Sequence, residues 1–83
     1  MTKKQLITKW CKDHAGQARR MIWSNRLGYK MQFASGDTYM YTTQDIGGEH
    51  RECRIYINGT MARRYVMKHI GLGNWIEEAG SEG

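Results

Sequence analysis

The spacing of apolar residues changes partway along this chain, and that change constrains the fold most. Leu6, Ile7, Trp10, Cys11 and His14 recur at helical intervals, whereas Tyr29, Met31 and Phe33 alternate with Lys30 and Gln32. The first spacing lines one stripe of a helix and the second lines one face of a strand, so a helix must be laid against a sheet. Thr2 is placed to cap the helix, which ends near Gly16, and Lys3, Lys4, Lys9 and Lys12 fall largely on its other side. Residues 17–27 fit two descriptions. Ala18, Met21, Ile22 and Asn25 suit a short helix closed by Gly28, while residues 20–24 suit a strand that turns over 25–28. The strand agrees better with the meander that follows.

Ser35-Gly36-Asp37 supplies a turn, and residues 38–43 are rich in Tyr and Thr, which favour strands. Residues 44–49 contain Gly47-Gly48 and read as a loop. Cys53, Ile55 and Ile57 alternate with Glu52, Arg54 and Tyr56 as a half-buried strand. Asn58-Gly59 suits a hairpin turn, but Met61, Ala62, Tyr65, Val66, His69 and Ile70 follow at helical period. That period predicts a second helix, capped by Thr60 and ended by Gly71. Asn74, with Glu77 three residues on, resembles a capping box for a short last turn holding Trp75 and Ile76. The expected fold is α+β, with an N-terminal helix, a three- or four-stranded antiparallel sheet, and a C-terminal helix packed on one sheet face. The expected organisation is a single domain over residues 1–79 and a frayed acidic tail at 80–83.

A domain of 83 residues buries only about 60% of the surface its unfolded chain exposes, so a metal, a dimer interface or a bound partner would add stability. Mean hydropathy is −0.74, and no run approaches the roughly 18 apolar residues of a membrane span. The start lacks the apolar core of a secretory signal, and two cysteines do not make a disulfide framework. A reducing cytoplasm is the expected location. No Gly-rich phosphate loop, nucleophile elbow or His-Glu-x-x-His pair is present, and a Cys11–His14 nucleophile pair would need an exposed cleft, so no catalysis is expected.

Two sets of residues carry possible chemistry. Cys11-x-x-His14 and His50-x-x-Cys53 use both cysteines and two of the three histidines. Together they make a Cys2His2 set that suits tetrahedral zinc. The same residues also fit without a metal, the cysteines as small hydrophobes on apolar faces, His14 at a helix C-terminus and His50 in a loop. The expectation is therefore no cofactor, with zinc at Cys11, His14, His50 and Cys53 as the alternative.

The second set is basic and aromatic. Residues 76–83 hold three glutamates and no base, which leaves residues 1–75 with 13 bases against 5 acids, a net +8. Residues 1–30 hold eight bases against Asp13 alone, a net +7. Such a field speeds encounter with polyanions, although spare charge also serves solubility. Arg63 and Arg64 fall in the first turns of the expected last helix, where free backbone N–H groups also favour an anion. Arg19, Arg20 and Arg26, with Lys30 and Lys68, extend the basic set. If Met40, Cys53, Ile55 and Ile57 face the core, then Tyr39, Tyr41, Arg54 and Tyr56 share the opposite face. Aromatics and arginines interleaved there form a stacking platform for single-stranded bases. Cross-strand tyrosine pairs that only stabilise the sheet are the plainer reading.

The expected helix–strands–helix order resembles, as an architecture, a double-stranded RNA-binding domain. Arg54-Ile55-Tyr56-Ile57-Asn58-Gly59 is similar to that family's alternating central strands and the Gly after them, and Ala62-Arg63-Arg64 to its basic clamp. The resemblance implies that Arg63 and Arg64 meet phosphates and that the first helix lies in a minor groove. It spans residues 50–66 and lacks the family's Gly-rich Ser-Lys-Lys run and Ala-rich last helix.

The expected function is that of a small, basic, non-enzymatic module that binds nucleic acid, single-stranded or duplex. The alternative is a compact protein-binding inhibitor of the kind encoded by phages or other mobile elements. It would act on a host or defence (CRISPR-type) nucleic-acid-handling protein, and six Met and three Trp suit such an interface. No membrane partner is expected, and a homodimer stays open. Arginines in one stripe favour nucleic acid; charges scattered around an exposed apolar patch favour a protein.

Overall fold

The computed structural model describes residues 1–78, so the expected tail at 80–83 lies outside the described residues. One helix precedes six strands: α1 (Lys3–His14), β1 (Arg19–Asn25), β2 (Gly28–Phe33), β3 (Thr38–Gly47), β4 (His50–Ile57), β5 (Thr60–Gly71) and β6 (Asn74–Glu78). The strands form a single antiparallel sheet in chain order, each hydrogen-bonded to the next. Helix α1 starts where the sequence places it. Thr2 Oγ1 accepts the Gln5 N–H, and the Gln5 side chain accepts the Thr2 N–H, a reciprocal cap that satisfies free N–H groups at the helix start. The ambiguous segment at 17–27 is the first hairpin, β1 turning into β2.

The second half corrects the expected fold. There is no C-terminal helix: residues 60–71 are β5, the Asn74–Glu77 segment lies in β6, and the sheet has six strands rather than three or four. Residues 44–47 continue β3 instead of looping. Three physical causes favour strand over helix at 60–71. Asn58 and Gly59 both sit at positive φ, 53° and 81°, the backbone of a two-residue turn whose twist matches a β-hairpin. Tyr65, Val66 and Ile70 are strand formers. Strand β5 also lies between β4 and β6, so its backbone groups are paired on both sides. The helical period there is a coincidence of a two-faced strand whose inward positions are Arg63, Tyr65, Met67 and His69. An arginine in an inward position hides the alternation. Without the second helix, the architectural likeness to a double-stranded RNA-binding domain ends.

Helix α1 covers one face of the sheet. Ile7, Phe33, Tyr39 and Ile55 are buried together, with Trp10, Tyr29, Met31, Tyr41, Ile57, Ala62 and Tyr65 packed around them. Ile7, Trp10 and His14 are the residues α1 turns inward; Leu6 is 50% exposed and Cys11 is exposed, so the apolar stripe is narrower than expected. Trp10 stacks on His14 with centroids 3.8 Å apart and meets Phe33 edge-on at 5.3 Å. Each buried side chain of this kind contributes about 1.5–3 kcal/mol.

The end of α1 is also tied by polar contacts. His14 Nδ1 lies 2.8 Å from the Trp10 carbonyl and Nε2 lies 2.9 Å from Asp37 Oδ2. Both neighbours are acceptors, so the doubly protonated imidazolium satisfies both contacts. Asp37 raises the His14 pKa, and the Trp10 carbonyl adds to the effect. Asp37 in turn is held below its ordinary range by His14 first, then by Asn58 and Ser35. Its carboxylate accepts from Ser35 Oγ at 3.0 Å and Asn58 Nδ2 at 3.1 Å, joining the β2–β3 and β4–β5 turns to the helix.

Gly28 matters for a different reason. A Cβ there would lie 2.0 Å from the Tyr41 carbonyl oxygen, so any larger residue would force β2 away from β3.

Candidate functional site

Directly opposed residues of neighbouring strands share a face, so the register sorts every candidate. Tyr39 pairs with Ile57, and Tyr41 with Ile55, which puts both tyrosines on the helix side. This corrects the expected platform: Met40, placed in the core by the sequence reading, pairs with Tyr56 on the other face. A one-residue shift in the assumed parity of β3 moves every side chain across. Burial decides the outcome, because Tyr39 and Tyr41 join the ring cluster around Trp10 and Tyr29. Tyr41 packs its hydroxyl 3.4 Å from Cys53 Sγ, and burial pushes its pKa up to about 12. Arg54 and Tyr56 lie on the uncovered face, as expected.

The arginine pair separates in the same way. Arg63 opposes Ile55 on the helix side and is 4% exposed. Its Nη2 bonds Glu77 Oε1 at 2.7 Å, and its guanidinium sits 4.2 Å from the Tyr65 ring centre. It is a buried residue of strand β5, not of a helix's first turn. Arg64 opposes Arg54 on the uncovered face. Arg19 opposes Phe33 on the helix side of the edge strand, and Arg26 lies in the β1–β2 turn.

No described residue packs on the uncovered face. One row crosses it from β1 to β5: Trp23, Lys30, Met40, Tyr56 and Met61. The next row carries Thr42, Arg54 and Arg64. Arg20 with Gln32 borders one end of these rows, and Lys68 with His50 borders the other. Five bases therefore share the face with Glu52 and Glu78. Glu52 lies between two guanidinium groups, 2.6 Å from Arg54 and 2.8 Å from Arg64, and so fixes their positions. Among the described residues no carboxylate lies within ion-pair distance of Arg20, Lys30 or Lys68. Trp23, Tyr56, Met40 and the two arginines are half-exposed. The sequence reading did not select Trp23. A bulge between Met21 and Trp23 shifts the parity of β1 and sends this indole to the open face, which no residue spacing reveals.

The helix side holds a second feature. At the end of β3 away from the β2–β3 turn, the sheet leaves an open groove of about 740 Å³ between the β1–β2 turn and β6. Arg26 and Arg51 line it together with Trp75 and Met67. The sequence reading singled out neither Arg51 nor Trp75 as a binding residue.

The four candidate zinc ligands are dispersed. His50 and Cys53 stand three apart on one strand, so they point to opposite faces. His14 has both ring nitrogens engaged, His50 bonds Glu78, and both cysteines are free thiols. Among the described residues no group of three or more His, Cys, Asp or Glu is placed to hold a metal ion, and no helix is long and apolar enough to cross a membrane. The chain shows no significant match to any known protein family, curated protein or solved structure.

Proposed function

We propose that this protein is a non-catalytic module that holds single-stranded nucleic acid across its uncovered sheet face. The observation that carries the reading is the cross-strand row from Trp23 to Met61, which includes Lys30 and is flanked by Arg54, Arg64, Arg20 and Lys68; Arg20, Lys30 and Lys68 have no carboxylate within ion-pair distance among the described residues. An uncovered sheet face offers rings to unstacked bases, and stacking contributes about 1–3 kcal/mol per base whatever the sequence. Arg20, Arg54, Arg64 and Lys68 then reach phosphates on either side of the row, and Lys30 within it. Duplexes keep their bases stacked inward and would use only the charges. Two free cysteines agree with work in a reducing cytoplasm.

The test is a titration of labelled single-stranded DNA, duplex DNA and duplex RNA at about 50 and 200 mM salt. The single strand should bind best, with a log–log salt slope of roughly −2 to −3.5, the value for three to five phosphate contacts. Equal, weak binding to all three that disappears at the higher salt would be charge attraction alone. The row of Trp23, Met40, Tyr56 and Met61 would then be read as a protein-binding surface.

A further inference from the structure

We propose that the groove on the helix side is a separate binding site for a nucleoside monophosphate, independent of the open face. Its volume of about 740 Å³ falls within the roughly 300–1,000 Å³ of ordinary small-molecule sites. The groove combines a ring, a pair of cations and an apolar floor. Trp75 on its wall is 39% exposed and is held by the His69 ring, with centroids 5.0 Å apart. That leaves an indole face for a base to stack on. The floor is Tyr41 and the buried Cys53, and Leu27 and Met67 add apolar walls.

The cations are Arg26 and Arg51. Neither has a carboxylate within ion-pair distance among the described residues, although most other arginines of the sheet bond an acid or an amide. Arg51 is oriented by its Nε bond to Thr43 Oγ1 at 3.1 Å, which leaves its two terminal nitrogens for a ligand. Arg26 is carried by a fixed turn: Leu27 N–H donates to Asn25 Oδ1 at 2.8 Å, and the Leu27 carbonyl accepts from Thr43 N–H at 2.8 Å. Two guanidinium groups beside an apolar floor suit a phosphate attached to a flat ring. Asp45 also lines the groove, its Oδ1 accepting the Gly47 N–H. This carboxylate works against a ligand that is anionic throughout, such as a polyphosphate. It accepts a hydrogen bond from a base that carries an exocyclic amine, so adenine, cytosine and guanine are preferred to uracil.

The experiment is calorimetric titration of the full chain with AMP, UMP, adenosine and inorganic phosphate, followed by NMR of the three indole N–H signals. AMP should bind at least about tenfold more tightly than UMP, which lacks the amine, adenosine, which lacks the phosphate, or inorganic phosphate, which lacks the base altogether. AMP should move the Trp75 indole and leave Trp10 and Trp23 in place. R51Q should weaken AMP about tenfold, and R26Q, which removes no internal bond, should do the same in a chain with unchanged stability. K12Q on the outer side of α1 should change nothing. The site is refuted if AMP gives no heat and no Trp75 shift at millimolar concentration, or if phosphate binds as well as AMP. It is equally refuted if AMP moves Trp23 instead. Oligonucleotide binding on the open face is read at Trp23, so either site can fail without the other.

Discussion

On the helix side of the sheet, Tyr39 is 8% exposed among the rings of Trp10 and Tyr29. On the opposite side, Tyr56 lies half-exposed beside Arg54 with no described residue above it. Arg63 and Arg64 repeat the contrast on adjacent positions of one strand, the first buried against Glu77 and the second paired with Glu52 at the open surface. Residue type is the same in each pair and the role differs. A sheet with one helix has one face that must be filled and one that is free to recognise something, and strand parity assigns each residue to one or the other.

Truncating the two faces should separate these roles most widely. F33A removes a ring at the centre of the core and should cost about 3–5 kcal/mol, enough to unfold a domain of this size. Y56A should cost less than about 1 kcal/mol in urea denaturation yet weaken single-strand binding by about 1–3 kcal/mol. A Y56A chain as unstable as F33A would mean that the open face is covered in solution.

The arginine pair sharpens the comparison. R63A leaves Glu77 without its Arg63 bond and should destabilise by about 2–3 kcal/mol, less than for a fully buried pair because the Glu77 side chain is 32% exposed. The salt slope of oligonucleotide binding should stay where it was. R64A should change stability by less than about 1 kcal/mol and make the slope shallower by about 0.7. If R63A also lowers the slope, Arg63 reaches phosphate and the face assignment is wrong.

A smaller effect concerns how α1 is held. The His14 pKa is raised, so its bond to Asp37 contributes fully below the ordinary histidine value of 6.5 and is lost as pH rises through the raised value. The Asp37 pKa is lowered, so its share is present above the ordinary 3.8 and is lost as pH falls through the lowered value. Thermal stability should therefore be highest between about pH 4 and 6.5 and decline above neutrality, and H14Q should flatten the decline. An unchanged profile in H14Q would remove this contact from the account. G59A, which places a Cβ at φ 81°, should cost about 1 kcal/mol and affect neither binding site.

The sequence made the first half of the fold legible and hid the second. Thr2, the helical spacing to His14 and the alternation at Tyr29, Met31 and Phe33 each belong to elements with one wet face and one dry face, where periodicity speaks clearly. Strand β5 does not have that contrast. Its inward side includes Arg63 and its outward side includes Val66 and Ile70, so Met61, Ala62, Tyr65 and Val66 imitate a helix. Asn58-Gly59 carried the correct local signal, and the false period outweighed it. At the candidate site, Arg54 and Tyr56 are legible because they alternate with Cys53 and Ile55, whereas Arg64 is singled out only through the false helix. Trp23 and Tyr39 are not legible, because a bulge in β1 and the parity of β3 depend on pairing with other strands.

The three tryptophans sit one in each region: Trp10 in the core, Trp23 on the open face and Trp75 in the groove. The most direct test of the central claim is to follow their indole N–H signals while a short single-stranded oligonucleotide is added at moderate salt. The account predicts that Trp23 shifts in step with binding while Trp10 stays fixed. Binding that leaves Trp23 unmoved would contradict it.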